Sequence, residues 1–201
     1  AALLTNISRD IERISMHGVR KSLLLKEVAS LKLNVPLHLL ELWEGMSMDD
    51  YSAIMETQLN KFAAQNIQTA IFGDIFLEDL RAYREQKLES VGMSGHFPLW
   101  GQGSKELVQR FINLGFKAII VCTNARLLDE SFVGRIIDQG FLKDLPEEVD
   151  PCGENGEYHS FVFDGPIFKE PIPFEIGEKV LKKYKDADGE WDSAFWYIDL
   201  I

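Results

Sequence analysis

The stretch DPCGENGEYHSFVFDGP, residues 150–166, places carboxylates and an imidazole at a spacing suited to proton chemistry. Glu154 and Glu157 each follow a glycine, and His159 comes two residues after the second acid. A carboxylate beside an imidazole can transfer a proton or orient a nucleophile such as an amine. The same pattern would also arise in a glycine-rich hairpin whose acids face solvent. The residues alone leave both interpretations open.

A strand over residues 157–164 would position these groups. Because successive side chains of a strand point to opposite faces, Glu157 and His159 share a face with Phe161 and Phe163. We expect the two phenylalanines to enter the core. Glu157 and His159 would then lie at the rim of that core.

The composition sets the class of protein. A chain of 201 residues with 46% hydrophobic and 11% aromatic residues can bury a core and is not a disordered protein. The net charge of −11 argues against a general nucleic-acid binder, which needs clustered lysines and arginines. The simplest interpretation of this acidic charge is that it keeps the protein soluble. No apolar run is long enough for a membrane span. Cys122 and Cys152 do not make a disulfide framework, so a reducing, cytoplasmic setting is expected.

The first half of the chain alternates strand and helix patterns, which predicts a parallel α/β sheet with crossover helices. The predicted strands are residues 1–5, 34–42 and 69–75, and the predicted helices cover residues 19–31, 47–62 and 77–91.

Glycines cluster between Gly92 and Ser104, where this alternation pauses. We therefore predict a first domain over residues 1–95 and a second over residues 96–201. The second is predicted to contain a helix from Ser104, a strand over 117–123, a short helix over 130–138 and a β-rich tail with a turn at 186–189.

Two further candidate sites lie at the carboxyl ends of predicted strands, where ligands collect in parallel α/β sheets. One is Leu4–Thr5 with the loop that leads to His17. The other is Gly73–Asp74, where the acid could hold a metal-bound phosphate. Each has a structural alternative, since Asp74 could be a helix cap and a lone histidine is often a structural hydrogen-bonding residue.

Four stretches, in this order and at these separations, resemble the diphthine–ammonia ligase family of ATP-binding PP-loop proteins: RISMHGV, FGDI, FPLWG and DPCGENGEYHSFVFDGP. The resemblance runs from Ala1 to about Lys169. It implies an adenine nucleotide alpha-hydrolase-like (HUP, Rossmann-like) domain followed by a smaller C-terminal α/β domain. It also implies a reaction in which ATP adenylates a carboxylate and ammonia displaces AMP to form an amide, with pyrophosphate as the other product.

The resemblance also implies residue roles. ATP binding falls to one set of residues: Leu4, Thr5, Met16, His17, Gly18, Gly73 and Asp74. Asp74 would also hold Mg²⁺. The catalytic residues would be Glu154, Glu157 and His159, and the substrate would meet Trp100, Asn155 and Ser160. Ser160 stands where the family usually has threonine. The acyl substrate would be a modified histidine on elongation factor 2 or a small carboxylate.

One departure from the family is the S-G-G-K-D-S phosphate loop, which would precede Ala1 and is absent from this sequence. The apolar run of residues 1–5 resembles a buried strand with no turn before it. We therefore expect an upstream strand, loop and helix of roughly 25–35 residues. The leading hypothesis is an ATP-dependent amide-forming ligase. The alternative is an ATP- or AMP-binding module without ligase activity, which the missing loop would favour if the chain were complete.

Overall fold

The computed structural model describes residues 1–185 and 192–201, and the chain divides into two compact units. The first unit contains Ala1–Asp10 and Val35–Gly103. The second contains Ile11–Asn34 and Ser104–Ile201. This division differs from the predicted continuous segments 1–95 and 96–201, because a segment near the N-terminus joins the second unit. The predicted turn at 186–189 lies outside the described residues.

Strands and helices alternate in the first half of the chain, whereas strands dominate the end. The strands are β1 (Leu3–Ser8), β2 (Arg13–Ile14), β3 (Leu37–Leu42), β4 (Thr69–Ile71), β5 (Ser94–His96), β6 (Lys117–Asn124), β7 (Tyr158–Asp164), β8 (Ile176–Lys185) and β9 (Asp192–Leu200). The helices are α1 (Lys21–Ser30), α2 (Met48–Ala64), α3 (Glu78–Glu89), α4 (Ser104–Asn113) and α5 (Gln139–Asp144).

The first unit contains two parallel strand pairs in separate sheets. β1 pairs with β3, with Leu4 opposite His38, and β4 pairs with β5. Helix α2 begins where Ser47 accepts a hydrogen bond from the Asp50 amide, a typical N-cap. Leu59 and Phe62 of this helix pack with Leu88 of α3 and with residues of β1 and β4 in one hydrophobic cluster.

The second unit is built on an antiparallel sheet with the strand order β7-β6-β9-β8. The central strand β6 is buried from Ala118 to Thr123. Its run of Ile, Val and Cys side chains is continuous rather than alternating, as expected for a strand covered on both faces. Phe141 of α5 and Tyr158 of β7 belong to the same core.

Residues 11–34 join this second unit through their apolar side chains. Val19 and Leu23 are buried in the core that surrounds β6. The end of α1 is also tied to the segment after β7, since the Lys169 amide donates to Ser30 and the Lys32 amide donates to Ile167. The sequence pattern of α1 shows an apolar face, but it does not show that this face packs on the distant core around β6. The predicted domain boundary between residues 95 and 96 therefore differs from the observed division.

The structure confirms an α/β chain with parallel strands in its first half, and it corrects two details. The predicted short helix over 130–138 is wrong: this segment forms turns, and Ile136 bridges to Ile119. Gly134 has a φ of +88°, and the Asp138 side chain caps the helix that begins at Gln139. The glycine-rich stretch after residue 92 also contains the short strand β5, which the sequence did not predict.

Among the described residues, no helix combines the length and the apolar character that crossing a membrane requires.

Candidate functional site

The loop before β7 is held in shape by its own carboxylates. The Asp150 carboxylate accepts hydrogen bonds from the amides of Cys152 (2.9 Å) and Glu154 (3.0 Å). The Tyr158 hydroxyl donates to the Pro151 carbonyl at 2.6 Å. These short-range bonds satisfy backbone groups that a turn would otherwise leave open. The loop therefore has a defined conformation.

Gly153 and Glu157 complete this loop. A Cβ on Gly153, which has a φ of +70°, would lie 2.9 Å from the Tyr158 carbonyl oxygen, so the position requires glycine. Glu157 is 3% exposed. Its carboxylate accepts from the Asp150 amide (2.9 Å), the Asn155 amide (2.9 Å) and the Asn155 side chain (3.0 Å). Both oxygens of Glu157 are thus engaged by donors of its own loop.

His159 meets an imidazole from a distant segment. The ring centroids of His17 and His159 are 4.2 Å apart and the ring planes are inclined at 36°. Both residues belong to the second unit. The sequence predicted His17 for the nucleotide and His159 for catalysis, and the structure brings these two side chains together.

Burial, followed by the proximity of His17, lowers the pKa of His159 to about 4. The ring is therefore neutral at physiological pH, which leaves a nitrogen lone pair available to accept a proton or a hydrogen bond. A neutral imidazole with this pKa can accept a proton from a nitrogen that becomes strongly acidic during bond formation, but not from a free ammonium ion.

The neighbours of His159 across the sheet are Cys122 and Tyr197. Cys122 of β6 lies opposite His159 on one side and opposite Tyr197 on the other. Directly opposed residues of an antiparallel sheet point to the same face, so these three side chains form a row. Burial raises the pKa of the Cys122 thiol to about 11, partly opposed by a hydrogen bond with Tyr197. The thiol is therefore protonated at neutral pH and does not act as a nucleophile there.

His17 lies in a tight loop between β2 and α1. Met16 and Gly18 have φ values of +67° and +76°, and a left-handed conformation is uncommon for methionine. The His17 ring Nδ1 lies 3.1 Å from the Ser15 carbonyl, and Arg13 donates to the Gly18 carbonyl at 2.7 Å. The Met16 side chain is 69% exposed, so burial of this side chain does not stabilise the left-handed backbone conformation. Local bonds and the residues that pack on the loop hold it.

The Gly73–Asp74 site lies in the first unit, after β4. Asp74 is buried, at 9% exposure, and its Oδ2 lies 3.2 Å from Arg84 Nε on α3. This ion pair lacks hydrogen-bond geometry, and Asp74 Oδ2 makes no hydrogen bond within the described residues. A buried carboxylate oxygen with spare accepting capacity fits a magnesium ion that also contacts phosphate.

Trp100 lies in an aromatic and cationic cluster of the first unit. The Arg81 guanidinium is 4.6 Å from the Trp100 ring centroid and 4.9 Å from that of Phe97. Phe97 in turn stacks on Phe72, with centroids 5.3 Å apart. The cluster gives the predicted substrate residue Trp100 a fixed position through contacts that the FPLWG motif alone did not indicate.

The predicted residues are therefore distributed over two units. The second unit contains Met16, His17, Gly18, Glu154, Asn155, Glu157, His159 and Ser160. Leu4, Thr5, Gly73, Asp74 and Trp100 belong to the first unit. Ser160 follows His159 on β7 and points to the opposite face of the strand.

Sequence reasoning missed the residues of β9. Tyr197 contacts Gly18 and pairs with Cys122, and Asp199 binds Arg13 and Arg20. The only signal in the sequence was the alternating pattern of AFWYIDL, which predicted a strand but not its partners. In residues 1–185 and 192–201, no group of three or more His, Cys, Asp or Glu side chains is arranged to hold a metal ion.

Comparison with known proteins shows which proteins this chain resembles in sequence. Residues 103–199 match the family described as diphthamide synthase C-terminal domain. Diphthine–ammonia ligase from Bos taurus is 28% identical over 142 residues, which cover 68% of this chain and 52% of the relative. The Homo sapiens protein of that name is 27% identical over 143 residues, with 69% and 52% covered. This chain is similar to the diphthine–ammonia ligases over about two thirds of its length.

The relationship confirms the resemblance seen in the four sequence motifs. The diphthine–ammonia ligase from Schizosaccharomyces pombe is 29% identical over 101 residues, which cover 46% of this chain and 17% of the relative. The chain spans about half the length of the mammalian diphthine–ammonia ligases that it matches. The family match over residues 103–199 includes β6, β7, β9 and the loop that contains Glu157.

Proposed function

We propose that this chain is part of an ATP-dependent amide-forming ligase of the diphthine–ammonia ligase type. In the proposed reaction ATP adenylates a carboxylate, with release of pyrophosphate, and ammonia then displaces AMP to give an amide. The acyl substrate would be a modified histidine on elongation factor 2 or a small carboxylate. A cytoplasmic location is part of the same proposal.

The observation that carries this proposal is the contact between His17 and His159. The family resemblance connects the Met16–Gly18 loop with the adenosine of ATP and the 154–160 stretch with the acyl group or ammonia. In this chain the two segments meet at ring centroids 4.2 Å apart. A nucleotide and an acceptor must be close together if an adenylated carboxylate is to be attacked.

His159 would receive a proton from the attacking nitrogen. Ammonia in neutral water is mostly ammonium, which cannot attack a carbonyl group. The small fraction present as free ammonia is therefore the nucleophile. Its nitrogen becomes acidic as it bonds to the carbonyl carbon and AMP leaves, and the neutral imidazole of His159, with its lowered pKa of about 4, accepts the proton at that stage. Glu154 would attract the ammonium cation. Glu157 would hold the loop that carries Glu154 and Asn155, because its own carboxylate is engaged by three loop donors.

Leu4, Thr5, Gly73 and Asp74 would hold ATP in the first unit, which we propose to be adenine nucleotide alpha-hydrolase-like. Asp74 would bind Mg²⁺ there, and the metal would neutralise phosphate charge. Trp100, Asn155 and Ser160 would contact the acyl substrate.

The alternative function is a nucleotide-binding module without ligase chemistry. The hydrogen bonds of Glu157 favour this alternative in part, because they give Glu157 a structural role and leave His159 without a catalytic carboxylate partner at that position. The two functions predict different products: the ligase forms an amide when ammonia is present, whereas the binding module forms none.

The test is a turnover assay with Mg²⁺-ATP, ammonium and a panel of carboxylates that includes diphthine-containing elongation factor 2. The ligase predicts release of pyrophosphate in the presence of the acyl substrate, and release of AMP together with amide formation when ammonium is added. A module would bind ATP in calorimetry and release no pyrophosphate with any acid. His159→Gln should lower amide formation by roughly two decades, whereas His96→Gln, a histidine in the first unit, should leave it unchanged.

A further inference from the structure

Strand β9 supplies two side chains that hold the Met16–Gly18 loop, although nothing in the sequence connects these segments. Tyr197 and Asp199 are two residues apart on this strand, so both point to the same face of the sheet. Cys122 separates Tyr197 from His159 in the row across the sheet. The loop that carries His17 therefore lies against the same row that contains His159.

The first tie is the contact between Tyr197 and Gly18. A Cβ added to Gly18 would lie 2.9 Å from Tyr197 Cδ1 and 3.3 Å from Cε1, so the tyrosine ring packs directly on the glycine backbone. Gly18 has a φ of +76°, a conformation that glycine adopts without steric cost. The position thus requires glycine both for its backbone and for the space that the ring takes.

The second tie passes through Arg13. Its guanidinium donates to Asp199 at 2.8 Å and to the Gly18 carbonyl at 2.7 Å. Asp199 also binds Arg20, which precedes α1, at 3.0 Å from Nε. The Tyr197 ring of β9 therefore packs directly on Gly18, whereas Asp199 of the same strand acts indirectly, by binding the Arg13 guanidinium that donates to the Gly18 carbonyl.

The Tyr197 ring is itself fixed on other sides. Its hydroxyl lies 3.4 Å from that of Tyr184 on β8, and Lys182 lies 5.4 Å from its ring centroid. Cys122 lies directly opposite it on β6. A side chain with so many neighbours has little freedom to move, and a rigid supporting residue is what precise placement of a functional group requires.

We propose that Tyr197 is a positioning residue that holds the Met16–Gly18 loop so that the His17 ring stays against His159. The catalytic consequence of this role rests on the proposed function, but the role itself concerns only the placement of His17. Tyr197 acts through the loop rather than on a substrate.

The test is the titration of the His159 imidazole, followed by NMR of the full chain between pH 4 and 8. Tyr197→Leu removes the ring from Gly18 and should release His17, so the midpoint of His159 should rise by about one pH unit or more. In a His17→Ala background the same Tyr197→Leu change should have no further effect, because the residue through which it acts is gone. Such non-additivity identifies coupled residues.

Two variants serve as controls. Tyr197→Phe keeps the ring on Gly18 and should titrate like the wild type. Phe195→Leu removes a ring two residues away on β9, 6.5 Å from the Tyr197 ring, and keeps the Tyr197 ring itself, so it should shift the midpoint less than Tyr197→Leu does. Gly18→Ala disturbs the contact from the other side and should reproduce the shift, which gives an answer even if Tyr197→Leu does not fold.

An unchanged His159 midpoint in folded Tyr197→Leu or Gly18→Ala would overturn the proposal. A shift of equal size with and without His17 would also overturn it, since Tyr197 would then act on His159 directly. The titration requires no turnover. A chain with coupled shifts but no ligase activity would therefore refute the proposed function and leave this role of Tyr197 intact.

Discussion

The imidazole of His17 lies against that of His159, with ring centroids 4.2 Å apart, although one residue precedes α1 and the other is on β7. Two imidazolium ions at this distance would repel each other, and burial further disfavours charge on His159. The pair therefore has at least one neutral ring near neutral pH. This neutrality has consequences for stability as well as for proton transfer.

The first prediction concerns acid stability. The pKa of His159 is about 4 in the folded chain, against an ordinary value of 6.5. Between these values the unfolded chain binds more protons, so the stability contributed by the neutral ring is complete above pH 6.5 and is lost as pH falls towards 4. We expect the contribution of His159 to the free energy of unfolding to fall by about 2–3 kcal/mol between pH 7 and 4.5. Urea unfolding at several pH values measures it.

The control for this prediction is His159→Gln, which has no titrating ring. Glu27 of α1 has a pKa raised to about 7 by burial, so its contribution has the opposite sign: stability is lost as pH rises from 4.5 to 7. The quantity to compare is therefore the difference between wild type and His159→Gln at each pH. A difference that does not change between pH 7 and 4.5 would contradict the lowered pKa of His159.

The second prediction concerns Glu157 as a structural acid. Glu157→Gln replaces one carboxylate oxygen with an NH₂ group that faces an amide donor of Asp150 or Asn155. A buried donor then points at another donor, which should cost about 1.5–3 kcal/mol of unfolding free energy. Chemical denaturation should show this loss together with reduced amide formation in the turnover assay.

Asn155→Ala separates the two roles of Glu157. It removes only the side-chain bond to Glu157 and leaves both backbone amides in place, so we expect a smaller loss of about 1 kcal/mol. If Glu157→Gln retained full stability and lost amide formation by two decades, Glu157 would act in the chemistry and not through its loop.

The sequence predicted β7 and the importance of its neighbouring acids, because alternation along a strand is a local property. It did not predict that the Glu157 side chain would turn back to accept from Asp150 and Asn155. Local side-chain-to-backbone bonds of this kind are best known for Ser, Thr, Asn and Asp, so a glutamate gave no clear signal.

The residues of β9 could not be predicted in the same way. Tyr197 meets Gly18, and Asp199 meets Arg13, across almost the full length of the chain. Strand alternation shows which side chains share a face, but it does not specify the distant segment that packs on that face. The association of residues 11–34 with the second unit was missed for the same reason.

The third prediction concerns Asp199. Its hydrogen bonds with Arg20 and Arg13 lower its pKa to about 2, below the ordinary value of 3.8. The stability from this carboxylate is present above pH 3.8 and is lost as pH falls through 2. Since the side chain is 23% exposed, solvent screens the pair, and we expect Asp199→Asn to lower the unfolding free energy by about 1 kcal/mol at pH 7.

Asp164→Asn is the matched control for Asp199. Asp164 is also on the sheet of the second unit but pairs with a single lysine, Lys117, which is 58% exposed. We expect a smaller effect, because solvent screens a pair with an exposed lysine. Equal losses for the two variants in denaturant unfolding would mean that the two arginines add nothing beyond an ordinary surface pair.

The last prediction tests the proposed nucleotide site of the first unit. Asp74 Oδ2 is buried and makes no hydrogen bond within the described residues, although it lies 3.2 Å from Arg84 Nε. If Asp74 holds Mg²⁺ as proposed, Asp74→Asn should remove a magnesium contact. We expect weaker binding of Mg²⁺-ATP by one to two decades, equivalent to about 1.5–3 kcal/mol, and little change for AMP without metal. Calorimetry with both nucleotides measures this difference. Asp79→Asn, an acid in the first turn of α3, should bind both like the wild type. Equal weakening of both nucleotides, together with a lower melting temperature, would instead make Asp74 the structural partner of Arg84.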